Sequence, residues 1–106
     1  RLQPEDADAH YNLGVVLNDR IRALVDEKVA AFRQAVALRP THADAHYHLA
    51  VAYVQQAQLS PVEEKRRLLS LALEAFRRFQ EAAPGDDPKA GAAAHNIEVL
   101  EPQVKQ

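Results

Sequence analysis

The residues best suited to metal chemistry are five histidines, His10, His42, His46, His48 and His95. His42 and His46 are four positions apart, so on a helix their imidazoles share one face and could ligate one ion. No third ligand follows at helical spacing, and the sequence contains no cysteine. Zinc sites use three or four protein ligands. We therefore expect His10 and His46 to pack between helices, and we predict no metal and no other cofactor.

Side chains that could act in covalent or acid–base catalysis form no recognisable constellation. The serines are Ser60 and Ser70 alone, and Ser60 precedes a proline, as a helix cap often does. There is no GxSxG, no phosphate-binding glycine-rich loop and no HExxH motif. The carboxylates are scattered over predicted helix starts and predicted exposed faces. The sequence thus predicts a protein that is not an enzyme.

The composition narrows the class of partner. The chain has 106 residues and a formal net charge of −2, which gives no general attraction to a phosphate backbone. No apolar run approaches the roughly 20 residues that a membrane-spanning helix needs. We therefore expect no nucleic-acid partner and no membrane insertion. The sequence does not determine the cellular compartment, although the cytoplasm is slightly favoured. Glycine occurs three times and no period-two alternation is sustained, so helices must form the fold.

Two segments of the chain recur in the same order. The segment Ala7–Gly14 (ADAHYNLG) returns as Ala43–Ala50 (ADAHYHLA), with six of eight positions identical. The segment Ala31–Pro40 (AFRQAVALRP) returns as Ala75–Pro84 (AFRRFQEAAP). Recurrence at such spacings is typical of helical repeat proteins, in which each repeat buries its apolar face against its neighbour.

These segments resemble the tetratricopeptide repeat, a 34-residue pair of antiparallel helices. The resemblance covers residues 5–84. The first unit places His10, Leu13, Gly14, Leu17, Lys28, Phe32 and Pro40 at its characteristic positions. The second places His46, Leu49, Ala50, Tyr53, Ala72, Phe76 and Pro84 there. A small residue beside a large one, as in Leu49 and Ala50, lets two helices approach closely.

The resemblance implies an all-α superhelix of five helices: two helical hairpins and a C-terminal capping helix, in a single domain. Residues 1–4 resemble the end of a preceding repeat, 5–40 form the first repeat, 41–84 the second, and 86–101 the capping helix. Asn18–Arg20 predicts a widened turn inside the first hairpin. Ser60 predicts the cap of an elongated helix that ends near Ala82. Glu98 stands where a further repeat would need a small residue, so the array should end there.

The resemblance also implies a concave groove lined by the first helix of each repeat. The positions that face it are Asp8, Tyr11, Asn12, Val15 and Asn18 on the first helix, and Asp44, Tyr47, His48, Val51, Val54 and Gln55 on the third. Tyrosines and amides in such a stripe suit a peptide or a partner's helix. Alternatively, Tyr11 and Tyr47 are packing residues with their hydroxyls at the rim. Tyrosine and valine replace the lysine and asparagine of carboxylate-gripping relatives, which disfavours a chaperone-tail receptor.

The leading hypothesis is a non-catalytic scaffold that binds a protein or peptide in this groove. Two alternatives stay open: an assembly module that self-associates through the N-terminal repeat face, and a regulatory appendage of an upstream enzyme. Arg1–Pro4 resembles Ala37–Pro40, so we expect a C-terminal part of a longer repeat array. Apolar residues of the first helix would then lie open and favour a homo-oligomer through that helix.

Overall fold

Four helices form the part of the chain that the structure describes. The computed structural model describes the backbone of residues 7–105 and the side chains of residues 20–105. The helices are α1 (Ala7–Leu38), α2 (Ala43–Gln58), α3 (Val62–Ala82) and α4 (Ala90–Val104). No strand occurs between residues 7 and 105. The all-helical prediction is confirmed, whereas the count of five helices is wrong.

The boundary predicted between the first two helices is absent, because α1 is a single helix of 32 residues. The predicted turn at Asn18–Arg20 is helical. The chain contains neither glycine nor proline between Val15 and Arg39, so nothing there disfavours helical geometry. At 1.5 Å per residue the helix is about 48 Å long, which accounts for most of the 55 Å longest dimension of the molecule. The two helices of the first predicted hairpin are therefore one rod.

The turn between α2 and α3 differs in detail from the prediction. The Ser60 hydroxyl donates to the Gln56 carbonyl at 2.7 Å, so it satisfies the C-terminal end of α2. The start of α3 has Pro61 as its cap residue, with no side-chain hydrogen bond. Proline at this position offers no N–H that would need a partner. Ser60 thus ends one helix and does not begin the next.

The core lies between α2 and α3. Ala50 and Ala72 are fully buried, and so are the rings of Phe76 and Phe79. The two alanines let the helix axes approach, and the rings fill the space beside them. His46, Leu49 and Tyr53, which the resemblance placed inside the second repeat, are buried as well.

The last helix, α4, is displaced from the predicted range of 86–101. It begins at Ala90 because residues 84–89 form a turn, in which the Asp87 carboxylate accepts from the Lys89 amide at 2.8 Å. It continues past Pro102 to Val104. A proline so near a helix end removes one hydrogen bond and leaves the last turn intact. The Arg66 guanidinium of α3 donates to the Val104 carbonyl at 2.8 Å and holds that end in place.

Candidate protein-binding surface

The predicted groove residues of α2 form its least buried face. Asp44 and His48 are exposed, and Tyr47, Val51, Val54 and Gln55 are half-buried. The seven buried residues of α2 all lie outside this set, because they face α1 and α3. The corresponding residues of α1, Asp8, Tyr11, Asn12, Val15 and Asn18, lie outside the part of the chain whose side chains are described.

The residues of this face of α2 lie on two sides, one toward α1 and the other toward α3 and α4. His48 turns toward α1, where its ring stacks on Phe32 at 5.5 Å between centroids. Gln55 lines a cavity of about 240 Å³ with Leu24 of α1. Tyr47 and Val54 turn instead toward α3 and α4. Helical spacing alone places these residues on one stripe, whereas the neighbouring helices divide them between two sides, on which Gln55 and Val54 line separate depressions.

Tyr47 belongs partly to the core. Its ring meets Phe76 and Phe79 edge to face, at centroid distances of 5.8 and 5.4 Å. Such aromatic pairs contribute about 0.5–1.5 kcal/mol beyond the area that they bury. The residue is nevertheless only half-buried. Part of the ring is therefore held rigidly at the surface, beside His48 at 5.7 Å.

Lys89 joins this end of the surface, although no motif in the sequence points to it. Its ammonium lies 2.9 Å from an Asp44 carboxylate oxygen, 3.5 Å from Asp87 and 6.0 Å from the centre of the Tyr47 ring. The hydrogen bond to Lys89 lowers the pKa of Asp44, and the same bond raises the pKa of Lys89. No spacing rule connects position 44 with position 89, because only the packing of α4 brings them together.

A second depression opens between α2, α3 and α4. It encloses about 260 Å³. Its lining consists of Val54, Ala57, Gln58, Lys65, Leu69, Asn96, Val99, Leu100 and Gln103. The aliphatic side chains provide an apolar floor, and three amides and one ammonium provide polar walls. A side-chain amide can both donate and accept, which matches the N–H and C=O of a polypeptide backbone.

The two histidines that were weighed as metal ligands serve local structure. His42 caps α2, since its Nδ1 accepts from the Ala45 amide at 3.2 Å. His46 is buried, and its Nε2–H donates to the Pro40 carbonyl at 2.7 Å. His46 therefore packs between helices as expected. Among the described residues, no three histidine, cysteine, aspartate or glutamate side chains group as a metal site would require.

Antiparallel neighbouring helices with repeated motifs define a helical repeat protein. Comparison with protein families gives a match to the TPR repeat over residues 26–56, which covers the second half of α1, the connecting loop and most of α2. Neither the curated proteins nor the solved structures give a match. This match supports the resemblance to the tetratricopeptide repeat family, whose fold is in general a non-enzymatic module for binding other proteins. No helix within residues 7–105 has the length and apolar character needed to cross a membrane.

Proposed function

We propose that the chain is a non-catalytic scaffold that binds a peptide or a helix of a partner protein along the surface between α2 and α4. The observation that carries this proposal is the depression between these helices, which combines an apolar floor with amide walls. Binding sites for polypeptides use apolar contacts for affinity and polar groups for orientation. Of the predicted groove residues, Val54 lines this depression.

The chemistry of the surface indicates what such a partner would present. The floor formed by Ala57, Leu69 and Leu100 suits an aliphatic side chain. The Lys65 ammonium at the wall favours a carboxylate on the partner. At the other end, Tyr47 offers a rigid aromatic face, which is a frequent anchor in protein interfaces.

A test starts from a partner captured with the chain from its source cell and identified by mass spectrometry. A peptide of that partner is then titrated by calorimetry against the chain and against the double variant Gln58→Ala with Asn96→Ala. We expect binding to weaken about tenfold, because each lost hydrogen bond is worth about 0.5–1.5 kcal/mol. The matched control is Gln80→Ala, since Gln80 is exposed on α3 and does not line the depression. Equal affinity of the double variant and the control would refute the proposed surface.

A further inference from the structure

The second half of α1 and the helix α3 are the same kind of helix in sequence. Residues 22–40 align with 66–84 without a gap. Identical pairs are Arg22 and Arg66, Leu24 and Leu68, Ala31 and Ala75, Phe32 and Phe76, Arg33 and Arg77, and Pro40 and Pro84. Equal sequence positions on two helices of one repeat type should meet equivalent neighbours.

One face of α3 packs against α4, and its counterpart on α1 packs against α2. On α3 this face includes Leu69, which shares a cavity with Leu100 of α4. Its counterpart on α1 is Val25, which is 6% exposed and lines a cavity with Gln55 of α2. At this position the contact of α1 with α2 therefore repeats the contact of α3 with α4.

The other face of α3 packs against α2, and its counterpart on α1 is uncovered. Phe79 meets Tyr47, and Ala75 shares a cavity with Leu49 and Tyr53. The four α3 residues of this face are Leu68, Ala72, Ala75 and Phe79, which are between 0% and 5% exposed. Their counterparts on α1 are Leu24, Lys28, Ala31 and Ala35, which we call the open face. Leu24 is 54% exposed, Lys28 and Ala31 are exposed, and Ala35 is half-buried.

The sequence contains a segment of the type that covers this face. Ala43–Ala50 of α2 covers α3, and Ala7–Gly14 is identical to it at six of eight positions. In its own chain, however, Ala7–Gly14 belongs to the same continuous helix as the open face. A helix cannot pack against itself. A second copy of the chain carries the same segment on a separate helix, which can reach the open face.

We propose that two copies of the chain form a symmetric dimer, in which residues 7–18 of each copy pack on the open face of the other. The contact is isologous, because each chain both gives a segment and receives one. It buries Leu24, and it also covers Ile21, which is 50% exposed beside it. The stem of Lys28 lies along the contact while its ammonium reaches the rim. This dimer does not depend on the proposed peptide site, since the open face lies on α1 and that site lies between α2 and α4.

The second repeat determines the register of this contact. Leu49, Tyr53, Leu71 and Ala75 line one cavity. In an antiparallel pair of helices, Leu49 then lies opposite Ala75 and Tyr53 opposite Leu71. Applied to the first repeat, the same antiparallel register places Leu13 of one copy opposite Ala31 of the other. The two α1 helices then cross near Arg22.

Cysteine cross-linking tests this register directly, because the chain has no cysteine of its own. We expect a disulfide-linked dimer when Leu13→Cys and Ala31→Cys chains are mixed and oxidised. Neither variant alone should cross-link, since equal positions lie about 27 Å apart along the antiparallel pair at 1.5 Å per residue. The matched control replaces Ala31→Cys by Ala30→Cys, whose site is exposed and next to the open face.

Sedimentation measures the assembly without cross-linking. The unmodified chain should have twice the mass of one chain, Leu24→Glu should have the mass of one chain, and Ala30→Glu should remain dimeric. Circular dichroism of each variant checks that its helices persist.

A chain that sediments with the mass of one copy at all concentrations refutes the proposal. So does an internal disulfide in the double variant Leu13→Cys with Ala31→Cys, because it would show that α1 bends back on itself. Equal cross-linking at positions 30 and 31 would likewise overturn it.

Discussion

Replacing Phe79 by alanine should remove a large part of the stability of this small core. Phe79 is fully buried between α2 and α3, and its ring lies edge to face with Tyr47 at 5.4 Å. Truncating a buried phenylalanine to alanine costs about 3–5 kcal/mol, from lost apolar burial and from the cavity that remains. The total stability of a domain of this size is about 5–15 kcal/mol. Phe79→Ala should therefore lower the urea midpoint strongly or leave the chain largely unfolded at 25 °C.

Two further variants make this measurement decisive. Phe79→Leu keeps most of the volume and should cost less than about 1.5–2 kcal/mol. Phe32→Ala should cost less than Phe79→Ala, because Phe32 is only half-buried and stacks on the exposed His48. Urea unfolding followed by circular dichroism gives all the free energies in one series. Equal losses for Phe79→Ala and Phe32→Ala would refute the assignment of the core to the space between α2 and α3.

Three other predictions concern single positions. Ala50→Leu should destabilise by about 1–3 kcal/mol through overpacking, as thermal unfolding can show, while Ala92→Leu on the exposed side of α4 should change little. Pro102→Ala should stabilise α4 by about 1 kcal/mol or more, because it restores a backbone donor inside the helix, and a lower melting temperature would contradict this. Lys89→Gln should raise the pKa of Asp44, as carbon-detected NMR can follow, because the bond to Lys89 lowers it. Since that pKa is lowered in the folded chain, the pair's contribution should be present at neutral pH and fall away as acid protonates Asp44.

The core of the second repeat could be predicted from sequence because local patterns specify it. The sequence placed Leu49 beside Ala50 and put Ala72 four residues before Phe76, and each of these residues is buried. Such pairs are read from helical spacing alone, since residues three or four apart share a face.

The first repeat could not be predicted in the same way. The family pattern implies a turn near Asn18, but a repeat motif does not itself break a helix. Where no glycine or proline interrupts the chain, a continuous helix satisfies every backbone hydrogen bond. The choice between a hairpin and one long rod therefore depends on which surface is available to cover the apolar residues of α1.

The amino-acid sequence by itself determined the helical class and the buried stripe of the second repeat, because these follow from periodicity within single helices. Tertiary structure alone decided three features. It joined Lys89 to Asp44 and Tyr47, it placed Val54 and Gln55 of α2 in separate depressions, and it left the open face of α1 uncovered. Each of these depends on contacts between helices that are distant in sequence, and helical spacing within one element carries no information about them.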